Sequence, residues 1–562
     1  MRPVVLISGR TCTGKSELAM CLRDELKFLL IGSSEILKGE AKRRGGNTDR
    51  LSLQALGDTL DEETKHRWLF DEFRKIAESK PDTPVVIDSI RTAAQLEYFR
   101  TNPALAVVHV HLYAPPEELQ LRFKNRVLDR PTETASSHDE ADLVKDDETI
   151  EFFKKDADVR INTGRTDTRD NFVRVAARLG VYSPPSIRCV DVIVGGQYGS
   201  EGKGHISAYL AREYDVLVRV GGPNAGHTVS SASGVFTYHQ LPSGTRDVDA
   251  EVLLGPGMTL RVDALLKEIE QCGISPERLY IDPQVMIIED EDLAQEQDLV
   301  AKIASTGRGG GAAAARRING RKPGAVRLAR DIPELKPYVG DRFPYRGSTT
   351  ARLEVAYQKG HSILLEGTQG SGLSIYHGPY PFVTSRDTNV AGCLAEAGIS
   401  PSRVRRILMV VRPQPIRVGH PDEKDGERGD SGPLKHQVTF EKIAEIAGLD
   451  PKEVSGWEKT STTKRDRRVG WFEWDQFRHA CSLNAPTDIV LTFADYIRSA
   501  NKDARRFEQL TDDTIKFIEE LERIAQAPVS LINTRFPRNP GEGIDLRTVI
   551  DRRNWTSRRR GL

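Results

Sequence analysis

Twice in this chain a short run rich in valine and isoleucine opens straight into a glycine loop that carries a lysine. PVVLIS runs into Gly9-Arg10-Thr11-Cys12-Thr13-Gly14-Lys15-Ser16, and VDVIVGG runs into Gln197-Tyr198-Gly199-Ser200-Glu201-Gly202-Lys203-Gly204. Short apolar runs this dense in β-branched residues read as strands buried on both faces. Such strands belong to parallel sheets covered by helices, so the pattern predicts an α/β fold. The two loops are not copies of each other, which argues for two domains rather than an internal repeat. At 562 residues the chain is also too long for one ordinary core.

The N-terminal part continues the alternation, with PVVIDS and LAVVHVHLYA as further strands and residues 15–26 and 62–79 as helices. A polar stretch over residues 130–149 reads either as a solvated loop or as a mobile cover. Paired prolines in VYSPPSIRC, residues 181–189, cannot continue a helix and mark the junction. The expected organisation is a P-loop domain over 1–182, a linker over 183–189 and a larger α/β domain over 190–562. Lysine plus arginine equals aspartate plus glutamate, 81 each, so no global field draws in nucleic acid or a membrane surface. The six scattered cysteines include no C-x-x-C pair, which excludes a disulfide framework or structural zinc site and suits a reducing cytoplasm. No apolar run is long enough to cross a bilayer, and the N-terminus lacks the layout of a signal peptide. Small molecules are the expected partners.

The first loop fits G-x-x-x-x-G-K-[ST] in its required place, after a strand and before a helix. Gly9 and Gly14 let the backbone curl so that successive N–H groups face a phosphate, and the helix N-terminus adds partial positive charge. Lys15 would reach the outer phosphates and Ser16 would bind Mg²⁺. At low sequence resolution this domain resembles the nucleoside monophosphate kinases. The resemblance implies an acidic residue near metal or acceptor at Asp88, an acceptor-phosphate contact at Arg91, and lid arginines. Arg122, Arg126 and Arg130 stand at four-residue spacing on one helix face, which suits either a lid or a solvated basic face.

The second loop lacks that spacing and by itself is a moderate phosphate-loop signal. It is followed, in order, by GGPNAGHT (221–228), LPSG (241–244), STGRG (305–309), EGTQGSGLSIYHGPYPFVTS (366–385), TTKRDRRVGW (462–471) and IDRR (550–553). On these segments the chain from residue 190 onward resembles the adenylosuccinate synthetases, and its length is similar to their short archaeal and phage-type branch. The resemblance implies a ligase that phosphorylates the six-oxygen of a purine nucleotide and then displaces phosphate with the amine of L-aspartate. It implies His227 as the acid and Lys203 against the donor phosphates, within a loop that includes Gly199, Glu201, Gly202 and Gly204. Gln369 would orient the base, while Asn224, Thr306 and Thr384 would hold the nucleotide's own phosphate. Gly226 would offer its carbonyl to Mg²⁺. Arg316 or Arg317 would reach across a two-fold axis, so a homodimer is expected. Thr462, Thr463, Arg465, Arg467 and Arg468 would form the aspartate loop, paired guanidiniums suiting a dicarboxylate. Lys464 and Asp466 depart from the family pattern there.

The departure with most chemical weight is Ser200, where the resemblance leads one to expect the aspartate that takes the purine N1 proton and ligates Mg²⁺. A hydroxyl is a far weaker base, without charge and with less bulk. Three outcomes follow: a silent nucleotide sensor, ordinary synthesis from IMP with a substitute base, or an altered purine. The phage 2-aminoadenylosuccinate synthetases resemble this chain in that serine, in PIRVGH followed by SGPL, and in LTFADYI. They imply a guanylate substrate, GMP or dGMP, whose two-amino group a carboxylate would crowd. Asp495 matches the residue that reads the donor's base and Phe493 stands where some relatives have lysine, leaving GTP, ATP and dATP open as donors. The whole is expected to be a fusion of a P-loop kinase and a purine-nucleotide–aspartate ligase.

Overall fold

The computed structural model describes residues 1–129, 147–231, 234–303, 305–339, 348–419, 431–458, 466–535 and 548–555. The chain divides into two compact units, Met1–Tyr182 and Ser183–Leu562.

In the first unit five strands form an all-parallel sheet, in the order Leu29–Ile31, Val85–Ile87, Arg2–Gly9, Leu105–Tyr113, Val159–Asn162. The central strand shows why a valine and isoleucine run folds this way. Successive side chains on a strand point to opposite faces. Val4 and Leu6 accordingly enter one apolar cluster while Val5 and Ile7 enter another, all fully buried. The helix Lys15–Leu26 has the expected bounds. The helix expected over 62–79 is instead two, Arg50–Thr64 and Trp68–Glu78. Between them Lys65 and His66 take left-handed backbone angles, φ 50° and 64°, which break a right-handed helix. The polar stretch expected over 130–149 lies mostly outside the described residues; its end begins the helix Asp147–Asp156.

The second unit is built on a nine-stranded sheet. Its order is Leu279–Ile281, Glu251–Leu254, Val216–Arg219, Ile363–Glu366, Val190–Gly195, Val404–Val411, Asp488–Leu491, Val529–Asn533, Val549–Asp551. All neighbours run parallel except the last pair. The strand Val190–Gly195 sits centrally and repeats the two-faced burial, with Val190, Val192 and Val194 in one cluster and Ile193 in another. Residues 183–189 are held by this unit: Ser183 N–H donates to Glu354 (3.0 Å), and Arg403 donates to the carbonyls of Ser183 and Pro184. In a sheet of this kind the carboxyl ends of the central strands form the crevice where ligands bind. The ends of Val216–Arg219, Ile363–Glu366 and Val190–Gly195 therefore locate the candidate site.

Candidate active site

In the first unit the strand Arg2–Gly9 breaks into the phosphate loop at Gly9. A Cβ there would lie 2.2 Å from the carbonyl oxygen of Leu112, so no other residue fits. Lys15 Nζ donates to the carbonyls of Gly9 (3.1 Å) and Arg10 (2.7 Å), folded back over the loop, and Gly14 caps the helix that Lys15 and Ser16 begin. Asp88 follows the strand Val85–Ile87 and accepts from the Ser33 backbone N–H (3.1 Å). Burial pushes its carboxyl up, against the opposing pull of Ser33 and Lys15, which places Asp88 and the loop lysine in one electrostatic field.

The arginines expected of a lid, Arg122, Arg126 and Arg130, and the one expected at an acceptor phosphate, Arg91, behave differently from one another. Arg122 donates to Thr163 Oγ1 (3.0 Å), the Thr163 carbonyl (2.6 Å) and the Cys12 carbonyl (3.5 Å), so it ties the phosphate loop to the next strand's end. Arg91 pairs with Asp58 and lies against Gly57. Arg126 shares the helix Pro116–Asp129 with Arg122, whereas Arg130 is outside the described residues.

In the second unit the loop after Val190–Gly195 turns through Gly199 (φ 90°), Ser200 (φ 58°) and Gly202 (φ 85°) before the helix Lys203–Ala211. Ser200 stands on the exposed rim in a left-handed conformation that side-chain-bearing residues seldom adopt. Glu201, fully buried, holds the turn from inside. Its Oε1 accepts the N–H groups of Gln197 (3.1 Å) and Gly199 (2.8 Å), and its Oε2 accepts Lys203 Nζ at 2.6 Å. Thr492, just past the strand Asp488–Leu491, donates to the Glu201 carbonyl (2.7 Å).

The helix start packs directly on His227: a Cβ at Gly204 would lie 2.5 Å from His227 Cβ. His227 Nδ1 is 2.7 Å from Glu366 Oε1 and 2.8 Å from an Arg219 guanidinium nitrogen. That same arginine nitrogen is 2.8 Å from Glu366 Oε2. The carboxylate also accepts the Ser243 backbone N–H (2.8 Å) and hydroxyl (2.7 Å). Burial, and behind it Arg219, push His227 down to about 4 against the pull of Glu366. Burial alone would push Glu366 up, but Arg219 and His227 hold it well below the usual carboxylate range. The imidazole is thus neutral at rest with its Nδ1–H on the carboxylate, which leaves its other nitrogen free to take up a proton and then give it back.

Gln369 joins this group. Its backbone abuts Gly195 and Gly199. Its amide Nε2 donates to Thr384 Oγ1 (2.9 Å), while its Oε1 and Asn224 Oδ1 are buried without a hydrogen-bond partner among the described residues. The structure therefore brings together Lys203, His227, Gln369 and Thr384 around the loop. Thr306 is half-buried beyond Gly307–Gly309. Asp495 is fully buried in the segment after Thr492. Arg316 pairs with buried Asp292 (2.7 Å), and Arg317 donates to the carbonyls of Pro256 (3.2 Å) and Gln284 (2.9 Å), so both are engaged within their own subunit. Thr462, Thr463, Lys464 and Arg465 lie outside the described residues. Arg467 and Arg468 are not a paired loop: they begin the strand Arg467–Gly470 and point to opposite sides. Arg467 meets Glu458 and Arg468 meets Ser431 and Gly432. Arg219 was invisible to motif reasoning, although a charge ending the buried strand VLVR was the available clue. Glu366 and Ser243 sit inside recognisable segments without being singled out.

A glycine loop with a buried lysine, set against a carboxylate-backed histidine and an amide at a parallel sheet's carboxyl edge, defines an enzyme that handles phosphoryl groups on nucleotides. The adenylosuccinate synthetase family model matches residues 192–329 and 318–502, and an AAA domain model matches residues 5–144. The adenylosuccinate synthetase of Archaeoglobus fulgidus is 32% identical over 368 residues, spanning 64% of this chain and 98% of that enzyme. That of Methanocaldococcus jannaschii is 33% identical over 371 residues, spanning 65% and 96%. Among solved structures, cyanophage S-2L succinoaminodeoxyadenylate synthetase bound to dGMP and dATP is similar with a TM-score of 0.52 and 28% identity. That match covers 65% of this chain and 95% of the phage enzyme. The chain belongs to the adenylosuccinate synthetase family, and it carries a P-loop kinase-like domain ahead of the ligase.

Proposed function

We propose that the second unit joins L-aspartate to C6 of a guanylate, GMP or dGMP, with hydrolysis of a nucleoside triphosphate, and that the first unit is a nucleotide kinase serving the same pool. The observation that carries the choice of purine is Ser200, a small neutral hydroxyl on the rim of the loop that Gln369 abuts. Guanine offers N–H donors at N1 and at its two-amino group. The Gln369 carbonyl oxygen and the Ser200 hydroxyl are acceptors, and a carboxylate at 200 would crowd the amino group. The similarity to a phage synthetase bound to dGMP supports the same reading.

In this reading the N1 proton leaves to water, the six-oxygen takes the terminal phosphoryl group as the nucleoside diphosphate departs, and the aspartate amine then displaces phosphate and sheds a proton to water. Lys203 and the loop N–H groups hold the donor's phosphates. His227, whose proton affinity Glu366 raises, takes a proton on its other nitrogen and then donates it as a hydrogen bond to the phosphoryl oxygens as charge builds. Asn224, Thr306 and Thr384 hold the nucleotide's own phosphate, Asp495 faces the donor's base, and Arg467 with the 462–465 segment receives aspartate. Among the described residues no three His, Cys, Asp or Glu side chains cluster to cage a metal. The donors present, the Ser16 hydroxyl in one unit and the Ser200 hydroxyl and Gly226 carbonyl in the other, fit Mg²⁺ that arrives on substrate phosphates and takes one or two protein ligands. Bound there, Mg²⁺ would supply charge neutralisation to the phosphates. Domain linkage gives the two active sites a high effective concentration of each other's nucleotides.

The test is aspartate-dependent phosphate release with ATP, dATP or GTP and either dGMP, GMP or IMP. Turnover of IMP but not of either guanylate would sink the choice of purine, and silence with every purine would sink the ligase. Ser200→Asn adds bulk without charge and should lower guanylate use as Ser200→Asp does. If Ser200→Asp raised guanylate turnover, crowding would be the wrong explanation.

A further inference from the structure

One buried carboxylate near the loop has no part in the scheme above. Glu458 follows the helix Pro451–Trp457 and is 4% exposed. Its Oε1 accepts from Arg412 (3.0 Å) and from the Tyr496 hydroxyl (2.9 Å), and its Oε2 accepts from Arg467 (2.8 Å). Burial pushes Glu458 up, but Arg412 and Arg467 outweigh it and hold the carboxyl at about 2, so it is charged throughout the working range.

Each of its partners belongs to a different part of the site. Arg412, which follows the strand Val404–Val411, is locked to the start of the phosphate loop through its backbone. Its N–H donates to Gln197 Oε1 (3.1 Å), and Gln197 Nε2 donates to its carbonyl (2.9 Å). Its guanidinium lies over the rings of Phe493 (4.2 Å) and Tyr496 (5.5 Å), the two residues that bracket Ala494 and Asp495 on the donor side. Arg467 belongs to the side assigned to aspartate. Two guanidiniums thus share one carboxylate, and the cluster is short of acceptors. Arg412 Nε and NH1 and Arg467 Nε are buried without a hydrogen-bond partner among the described residues.

We propose that Glu458 is a positioning residue that couples the two substrates, because the donor-side Arg412 and Tyr496 and the amino-acid-side Arg467 all hang on its one carboxylate. A donor that packs on the segment of Phe493 and Tyr496 fixes the wholly buried guanidinium those rings enclose, and through Glu458 it fixes Arg467 before aspartate binds. The ordering cost is then met once for both ligands, which is positive cooperativity, and linkage makes it reciprocal. This inference rests on the synthetase reading for what the two sides bind.

The experiment uses the full chain and reads binding as well as rate. Calorimetry measures the affinity for a non-hydrolysable triphosphate with and without aspartate, and steady-state assays measure the aspartate KM across donor concentrations. In the wild type each ligand should tighten the other by roughly fivefold or more. Glu458→Gln should erase that dependence and raise the aspartate KM by roughly ten- to a hundredfold, with kcat changed far less. Glu458→Asp, which keeps the charge, should restore part of the dependence. Tyr496→Phe removes one hydroxyl and no charge, and should weaken the coupling even if Glu458→Gln does not fold. The inference is overturned if a folded Glu458→Gln keeps the wild-type dependence, if Glu458→Asp restores none of it, or if Tyr496→Phe leaves it unchanged when Glu458→Gln does not fold. A wild type that binds both ligands cooperatively without releasing phosphate would refute the reaction while leaving the coupling standing. A wild type that turns over without cooperativity would do the reverse.

Discussion

Glu366→Gln is the sharpest perturbation available at this site, because it removes one charge and almost no volume. All the neighbours of the carboxylate are donors. Oε1 takes the His227 Nδ1 proton and the Ser243 hydroxyl, while Oε2 takes the Ser243 N–H and Arg219. Whichever way a glutamine amide is turned, its NH₂ must face donors. Arg219 is fully buried, and its Nε and NH2 already lack a partner among the described residues, so the substitution strips it of its counter-ion. Breaking a buried pair from one side costs about 3–5 kcal/mol. The effect on catalysis should be larger than the effect on folding suggests. Glu366 is what raises the proton affinity of His227 against burial and Arg219. Without it the charged imidazole is further disfavoured, and the loss of a working acid is worth roughly 10²- to 10⁴-fold in rate. Aspartate-dependent phosphate release should fall by that factor, with a change in the substrates' KM far smaller than the change in kcat. Thermal melting should show the second unit weakened but folded. A stable Glu366→Gln protein with near wild-type kcat would refute the assignment of His227 as a carboxylate-backed acid.

Gly204→Ala should cost most of the activity, since its Cβ would lie 2.5 Å from His227 Cβ and 3.1 Å from Ser243 Oγ; unchanged turnover would mean that His227 does not need its present place. Lys15→Ala should abolish nucleotide phosphorylation by the first unit while sparing aspartate-dependent phosphate release, read by separate assays on one preparation. The second unit should lose stability as pH falls from about 6.5 towards 4. Burial holds His205 and His227 near 4 when folded, so over that range the unfolded chain binds more protons than the native one. The two sites together should contribute a slope of about 2.7 kcal/mol per pH unit. Below the ordinary carboxylate range Glu366 and Glu458, both depressed, add to the same trend. His205→Asn should remove about one proton from that slope, checked by melting between pH 7 and pH 5.

What was legible in the sequence was whatever the backbone must do locally. The strands around PVVLIS and VDVIVGG, the glycine turns after them and the helix Lys15–Leu26 follow from β-branched runs, positive φ and capping, all short-range properties. The break at Lys65 and His66 was hidden because nothing there is a glycine or proline, yet the chain turns left-handed there and closes the helix end with the His66 N–H on the Asp61 carbonyl (2.7 Å). The site divides the same way. His227, Lys203 and Gln369 stand in segments whose order carries information along the chain. Glu366 could be quoted within EGTQG, but its role depends on Arg219, which lies far from it in sequence on the neighbouring parallel strand. Parallel pairing joins residues that sequence distance keeps apart, and a motif cannot report the other strand. The paired arginines show the converse error. Arg467 and Arg468 are adjacent in sequence, so a loop would let both forks take one ligand, but a strand sends neighbours to opposite faces. One of them then answers to Glu458 and the other to Ser431 and Gly432. Adjacency along the chain suggested a pair, and the pleat of the strand separates it; the carboxylates that match the buried cations could be found only once the sheet had set the neighbours.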